Sequence, residues 1–254
     1  MNARRALAGA VTVVCLFPFA YLALLSVAGP WEFPELWPAR LRFDRWTAVL
    51  GGDRGLLESL AVSLLVATTV GLLATGAGFV TARAVAQHPH RATLLLLAYL
   101  PFAASPVILG VCLLYVYIRL GLVATLVGVV LSHTIFAYGF AVVFWVPFWN
   151  EEKRAFEDLV RTLGGTTGHA YRRVILPLSR GPFLVCFFQT FLISWFQYGL
   201  TVLVGSGQVE TLPLRVYAYV NEANLGYAAV ASGLLVLPPL ILLWLNRQIV
   251  RRLI

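Results

Sequence analysis

The chain has 254 residues, 60% of them hydrophobic and only 12% charged, with a mean hydropathy of +0.83. A soluble domain would be about one quarter charged, so a soluble enzyme or binding domain is excluded and a polytopic membrane protein indicated. The net charge of +8 does not signal nucleic acid, because one Lys against 18 Arg gives no basic run to track phosphates; a positive-inside bias explains it better.

The apolar run Ala6 to Ala28 follows Arg4-Arg5. At about 20 residues it is longer than a signal-peptide core, and Gly29-Pro30-Trp31 offers no small-residue cleavage site, so it reads as an uncleaved first span. Trp31 to Arg54 is a polar, aromatic loop in which Trp31, Trp37 and Trp46 serve as interface anchors. Residues 1–56 are expected to form the first span and its outer loop, and residues 57–254 a core of five more spans. The second span is Leu60 to Ala82, where Gly71, Gly76 and Gly78 permit close helix approach. Arg83 and the segment Gln87 to Arg91 make a turn on the basic side; His88 and His90, flanking Pro89, belong to an exposed loop rather than a metal pair. The third span, Ala92 to Ile118, is kinked by Pro101 and Pro106. Arg119 to Gly121 is an outer turn, and Leu122 to Phe148 is the fourth span, containing Ser132-His133-Thr134. His133 is a candidate by its depth alone, either as a neutral imidazole satisfied by packing or as a pathway group.

Asn150 to Pro182 is the long polar passage of the second half, with four acids and six of the 19 Lys and Arg. Ala155 to Leu163 has an apolar stripe at Phe156, Leu159, Val160 and Leu163, the spacing of one helical face. Gly164-Gly165 stops that helix, Thr166 or Thr167 caps the next, and Tyr171 to Leu176 resumes before Pro177 closes it and starts the following segment. Such a helix–glycine–helix corner between two spans is a knob that a soluble partner can grip.

The fifth span is expected at Phe183 to Val204. Polar residues at 190, 194, 197, 198 and 201 share one face, and a polar stripe in lipid must face protein or a water-filled path. An outer loop through Gly205-Ser206-Gly207 and Thr211-Leu212-Pro213 leads to the last span, Ala223 to Leu245. With both termini cytoplasmic, thirteen of the 19 basic residues lie inside, which puts the 150–182 loop in the cytoplasm. Cys15, Cys112 and Cys186 all fall in apolar spans, without metal spacing or a disulfide framework, and read as small core residues.

Asp158-Leu159-Val160, three residues, Gly164, nine residues and then Val174-Ile175-Leu176-Pro177 resembles the EAA loop of inner-membrane permease subunits of binding-protein-dependent ABC importers. That motif reads E-A-A, three residues, G, nine residues, I-x-L-P. Three further stretches resemble the polyamine, iron and thiamine branch: Leu36-Trp37-Pro38 with Leu41 to Trp46, the proline-broken LPFAASPVILG, and Ser194-Trp195 through Thr211-Leu212-Pro213. The resemblance implies an all-α type I transmembrane domain of six helices in the bacterial inner membrane. It implies a coupling loop in which Glu157, Asp158, Arg161, Gly164, Gly168, Leu176 and Pro177 engage the ATPase. It implies a pathway lined by the proline-broken third span at Pro101 and Pro106, to which depth adds His133 and the polar stripe adds Ser194, Gln197 and Tyr198. Implied partners are a pair of ABC ATPase subunits, which bind the ATP, a second copy or sister permease, and a periplasmic or lipoprotein solute-binding protein. The branch favours polyamine, thiamine or ferric iron as solute.

No phosphate-binding loop, HExxH, paired intramembrane carboxylates or G-x-S-x-G elbow occurs, so neither a catalytic nor a metal site is expected, nor any cofactor of the chain's own. An intramembrane hydrolase using Ser105 or Ser132 with His133 is the alternative from another class; neighbours 132 and 133 point to different helix faces and form no local dyad. An ATPase-independent channel is the other.

Overall fold

Proline, glycine and capping side chains cut the apolar sequence into helices. In the computed structural model they are α1 (Asn2–Val27), α2 (Asp44–Gly51), α3 (Arg54–Ala86), α4 (Arg91–Ala103), α5 (Pro106–Leu120), α6 (Leu126–Trp145), α7 (Glu151–Thr162), α8 (Thr167–Ala170), α9 (Leu176–Trp195), α10 (Gly199–Gly205), α11 (Leu212–Asn221) and α12 (Leu225–Leu253). A 3₁₀ turn, Val146–Phe148, extends α6, and a π turn, Tyr171–Ile175, joins α8 to α9. The structure describes residues 2–253 except 30, 32–34, 36, 39, 52 and 53, and only the backbone of 2–4, 6, 50, 54 and 245–253. Pro30, Leu36 and the side chains of Arg4, Arg54, Arg247, Arg251 and Arg252 thus lie outside the described residues. Among those described there is no strand; an isolated antiparallel bridge pairs Ala28 with Leu41.

Among the described residues, five helical stretches are long and apolar enough to cross a bilayer: Leu7–Val27, Gly55–Ala86, Leu126–Phe148, Thr167–Trp195 and Leu225–Trp244. The bent pair α4 and α5 makes six. Helices suit this role because each satisfies its backbone internally, which lipid cannot do.

The third span is broken more sharply than a kinked helix. Pro106 opens α5 and holds Ser105 extended (ψ 137°), Ala104 is extended too (ψ 148°), and α4 and α5 meet at 95°. The fifth span is displaced from the expected 183–204. Pro177 does not close a helix: it sits in the first turn of α9, and the π turn before it lets the Leu176 N–H bond to the Tyr171 carbonyl five residues back. The span therefore begins at Thr167 and ends at Trp195, and 199–205 is a separate short helix. Two segments read as loops hold α2 and α11, and Arg83 lies inside α3 rather than in a turn. Cys186 is a core residue, but Cys15 and Cys112 are exposed.

Contacts divide the chain into two units, Met1–Val62 with Glu210–Leu240, and Ser63–Val209 with Ile241–Ile254. In the first, Arg45 on α2 donates to the Ala28 carbonyl at 2.6 Å and lies where a Cβ on Gly226 would be, 2.2 Å from its Cζ. Trp46 donates to Ser26 Oγ at 3.2 Å, and Arg215 pairs with Glu210.

In the second unit, Phe79, Trp145, Trp149, Ile175 and Cys186 form the core where α3, α6 and α9 meet. Phe79 and Trp145 pack edge to face at 4.8 Å. Close approach is possible because Gly78 faces Ala141, where a Cβ would come within 2.6 Å of the Ala141 methyl. Gly139 likewise faces the Ala98 carbonyl, at 2.5 Å from a would-be Cβ.

Candidate functional site

The polar passage 150–182 folds as a knob. Asn150 caps α7 by accepting from the Lys153 N–H at 3.1 Å, so the helix starts before Ala155, with Glu151 and Glu152 in the first turn where the helix dipole favours them. It ends as its glycines require. Gly164 adopts φ +78°, the Gly165 N–H reaches the Val160 carbonyl at 2.8 Å, and the Gly164 N–H reaches Arg161 at 3.0 Å. These two bonds are the Schellman motif. Thr166, rather than Thr167, caps the next turn by accepting from the His169 N–H.

The apolar stripe on α7 is divided. Phe156 and Val160 turn inward beside Glu157, whereas Leu159 and Leu163 are 54% and 79% exposed. Asp158, which stands at the motif's acid, is exposed and pairs with Arg161 at 3.7 Å, a surface contact worth at most about 1 kcal/mol. Gly168, Leu176 and Pro177 are exposed. Next to the corner, Thr166, Gly168, His169, Arg172 and Arg173 line a cavity of about 560 Å³.

Glu157 is the acid that is buried, at 4% exposure. Arg83 Nη2 on α3 donates to its Oε2 at 2.6 Å. The guanidinium also lies 5.9 Å from the Trp149 ring and 5.3 Å from the Tyr171 ring, within cation–π range. Trp149 in turn donates to the Phe79 carbonyl at 3.0 Å, one turn before Arg83. Sequence reading missed Arg83, Trp149 and Tyr171. The available signal was Glu157 itself, which stands three residues before Val160 on the inward face of α7, where Phe156 and Val160 pair at i, i+4.

A second polar cluster lies at membrane depth. His133 on α6, 1% exposed, has Nδ1 at 2.9 Å from Ser194 Oγ and Nε2 at 3.0 Å from Thr201 Oγ1. Thr201 Oγ1 donates its single proton to the Gln197 carbonyl at 3.0 Å, so it accepts from an Nε2–H of the imidazole. Nδ1 then accepts from the Ser194 hydroxyl, and a neutral ring is satisfied on both sides. Ser132 donates to the Gly128 carbonyl, away from His133. Gln197 is buried and Tyr198 partly buried in the break between α9 and α10. Across the unit, Gly199 meets the other break: a Cβ there would lie 3.1 Å from Val107 and 3.7 Å from Pro106. Pro101 sits inside α4, partly buried. Among the described residues no group of three His, Cys, Asp or Glu could hold a metal ion.

No protein-family model matches the chain. A sulfate transport system permease protein of Synechococcus elongatus is 30% identical over 198 residues, covering 71% of this chain and 68% of that one. A trehalose transport system permease protein of Mycobacterium tuberculosis is 25% identical over 250 residues, 93% of this chain and 90% of the relative. A molybdenum transport system permease protein of the same species is 27% identical over 233 residues, 85% and 84% of the two. Among solved structures, a bacterial ABC transporter involved in importing the acidic polysaccharide alginate superposes with a TM-score of 0.69 at 16% identity, over 97% of this chain and 94% of that one, a likeness of fold.

Proposed function

The chain belongs to the permease subunits of ABC importers, and from that premise we propose that residues 150–182 are the part gripped by the ATPase. As a permease subunit it is a transport protein rather than an enzyme: it forms the solute pathway and couples it to a separate ATPase subunit. One observation carries the docking reading. Leu159 and Leu163 stand exposed on a polar helix, beside a fixed glycine corner, between two spans. Exposed leucines flanked by charge are what a groove on a partner covers. Asp158 and Arg161 lie beside Leu159 on α7, Gly168, Leu176 and Pro177 are exposed further along the same passage, and ATP is bound by the partner.

The thirteen basic residues on one side support an inner-membrane chain with both termini in the cytoplasm, where the knob meets a pair of ATPase subunits. A second copy or sister permease completes the pathway, and a solute-binding protein delivers to its outer end. The two touching helix breaks, flanked by Pro101, Pro106, His133, Ser194, Gln197 and Tyr198, support a pathway there, since transporter sites form at discontinuous helices. The loop pattern points toward polyamine, thiamine or ferric iron; the relatives belong to sugar, sulfate and molybdenum systems. The ligand that co-purifies with the binding protein decides between these.

Docking is tested by detergent pull-down of tagged chain co-expressed with the proteins encoded beside it. Wild type is expected to capture an active ATPase, and Leu163→Asp at least about tenfold less, a loss of about 1.4 kcal/mol in binding. Equal capture by wild type and variant, or no capture by wild type, overturns it.

A further inference from the structure

We propose that Arg83 is a positioning residue for coupled transport, clasping the coupling knob to the end of α3 so that both move as one piece. This rests on α7 as the gripped helix. Three segments converge on the guanidinium that α3 carries: α7 with the Glu157 carboxylate, the turn just past α6 with the indole of Trp149, and the π turn leading into α9 with the Tyr171 ring. Trp149 is tied back to α3 through Phe79, one turn before Arg83, so α3 holds the knob at two successive turns.

Glu157, expected among the residues that engage the ATPase, lies beneath the exposed face of α7 rather than on it. Its side chain is 5% exposed, whereas Leu159, Leu163, Asp158 and Arg161 all face outward. A buried acid beneath a docking face transmits rather than binds. The chemistry suits transmission, because apolar contacts slide, whereas a charge-assisted bond with two flanking ring faces fixes direction and register. The pair is also asymmetric. Arg83 keeps 28% exposure and can turn to water, while Glu157 cannot. Removing the arginine is therefore worse than removing the acid.

The test is a distance measurement between spin labels in the full chain purified with its ATPase. Cys15 and Cys112 are changed to Ser, and labels are placed at Val80→Cys on α3 and Thr162→Cys on α7. In the Arg83-containing protein one narrow distance is expected, the same without nucleotide and with ATP–vanadate. In R83Q the distance is expected to broaden and shift by about 2 Å or more on adding ATP–vanadate, the scale of helix displacements in switching proteins. E157Q should broaden less, and the double variant no more than R83Q. ATPase capture should stay within about twofold of wild type, a change of about 0.4 kcal/mol, because the docking face is intact. An R83Q distance as narrow and invariant as wild type overturns the proposal, as does a wild-type distance that changes with nucleotide. If R83Q does not assemble, R83K decides, since it keeps the charge but loses the flat ring-facing plane: broadening supports the clasp, and wild-type behaviour overturns it. A wild-type chain that captures no ATPase overturns the docking reading instead, and the label distance in the chain alone still reads the clasp.

Discussion

Two of the buried polar clusters in the second unit solve the same problem differently. At the base of the knob, Arg83 and Glu157 use full charges, and one partner keeps access to water. At membrane depth, His133, Ser194 and Thr201 use neutral groups, each donor matched to an acceptor. Charge is tolerated only where solvent can relieve it; in an apolar surround the same role falls to hydroxyls and a neutral imidazole. The first cluster fixes helices that should move together, and the second ties α6 across the break between α9 and α10.

This contrast can be broken in order of expected effect. R83Q strands a buried carboxylate and should lower stability by about 2–3 kcal/mol, at or below the low end for breaking a buried pair because Arg83 is partly solvated. Thermal unfolding of the purified chain reads this, and a loss below that of E157Q would contradict the charge reading. In the neutral cluster, Ser194→Ala leaves His133 Nδ1 buried and unpaired, at about 2 kcal/mol. His133→Leu should cost less, about 1 kcal/mol, since the Thr201 hydroxyl already donates to the Gln197 carbonyl and the Ser194 hydroxyl can turn to a carbonyl of its own helix. The double variant should then equal His133→Leu alone. A larger loss from His133→Leu than from Ser194→Ala would show that the imidazole does more than satisfy hydrogen bonds. Gly164→Ala forces a side chain onto φ +78° and should cost about 1 kcal/mol. Added salt should weaken the contribution of the Arg83–Glu157 pair slightly and leave the neutral cluster unchanged.

Much of the knob is legible in the sequence because its signals are local. Gly164 at a cap position, Thr166 ahead of a helical turn and the Gly-to-Pro spacing each constrain neighbours within a few residues. Arg83 and Glu157 lie 74 positions apart, and nothing in either neighbourhood names the other. Pro177 misled for a subtler reason. Proline ends a helix when its ring clashes with the carbonyl four residues back, but the π turn at Tyr171–Ile175 shifts the register before the ring arrives. Thr211 before Leu212-Pro213 was a helix start that glycines nearby disguised, and α11 follows it. Cys15 and Cys112 look like core residues by apolarity alone, yet apolarity cannot tell a lipid-facing side from a packed one.

The Schellman corner at Gly164 has an entropic consequence. The two bonds that close it lie wholly within residues 160–165, so the knob keeps its shape before any partner arrives. Association then loses little conformational entropy in ordering the loop, and more of the contact energy goes into affinity. Under the proposed docking, a variant that frays the corner would have to order the loop on binding and should hold its partner more weakly even with the contact face intact.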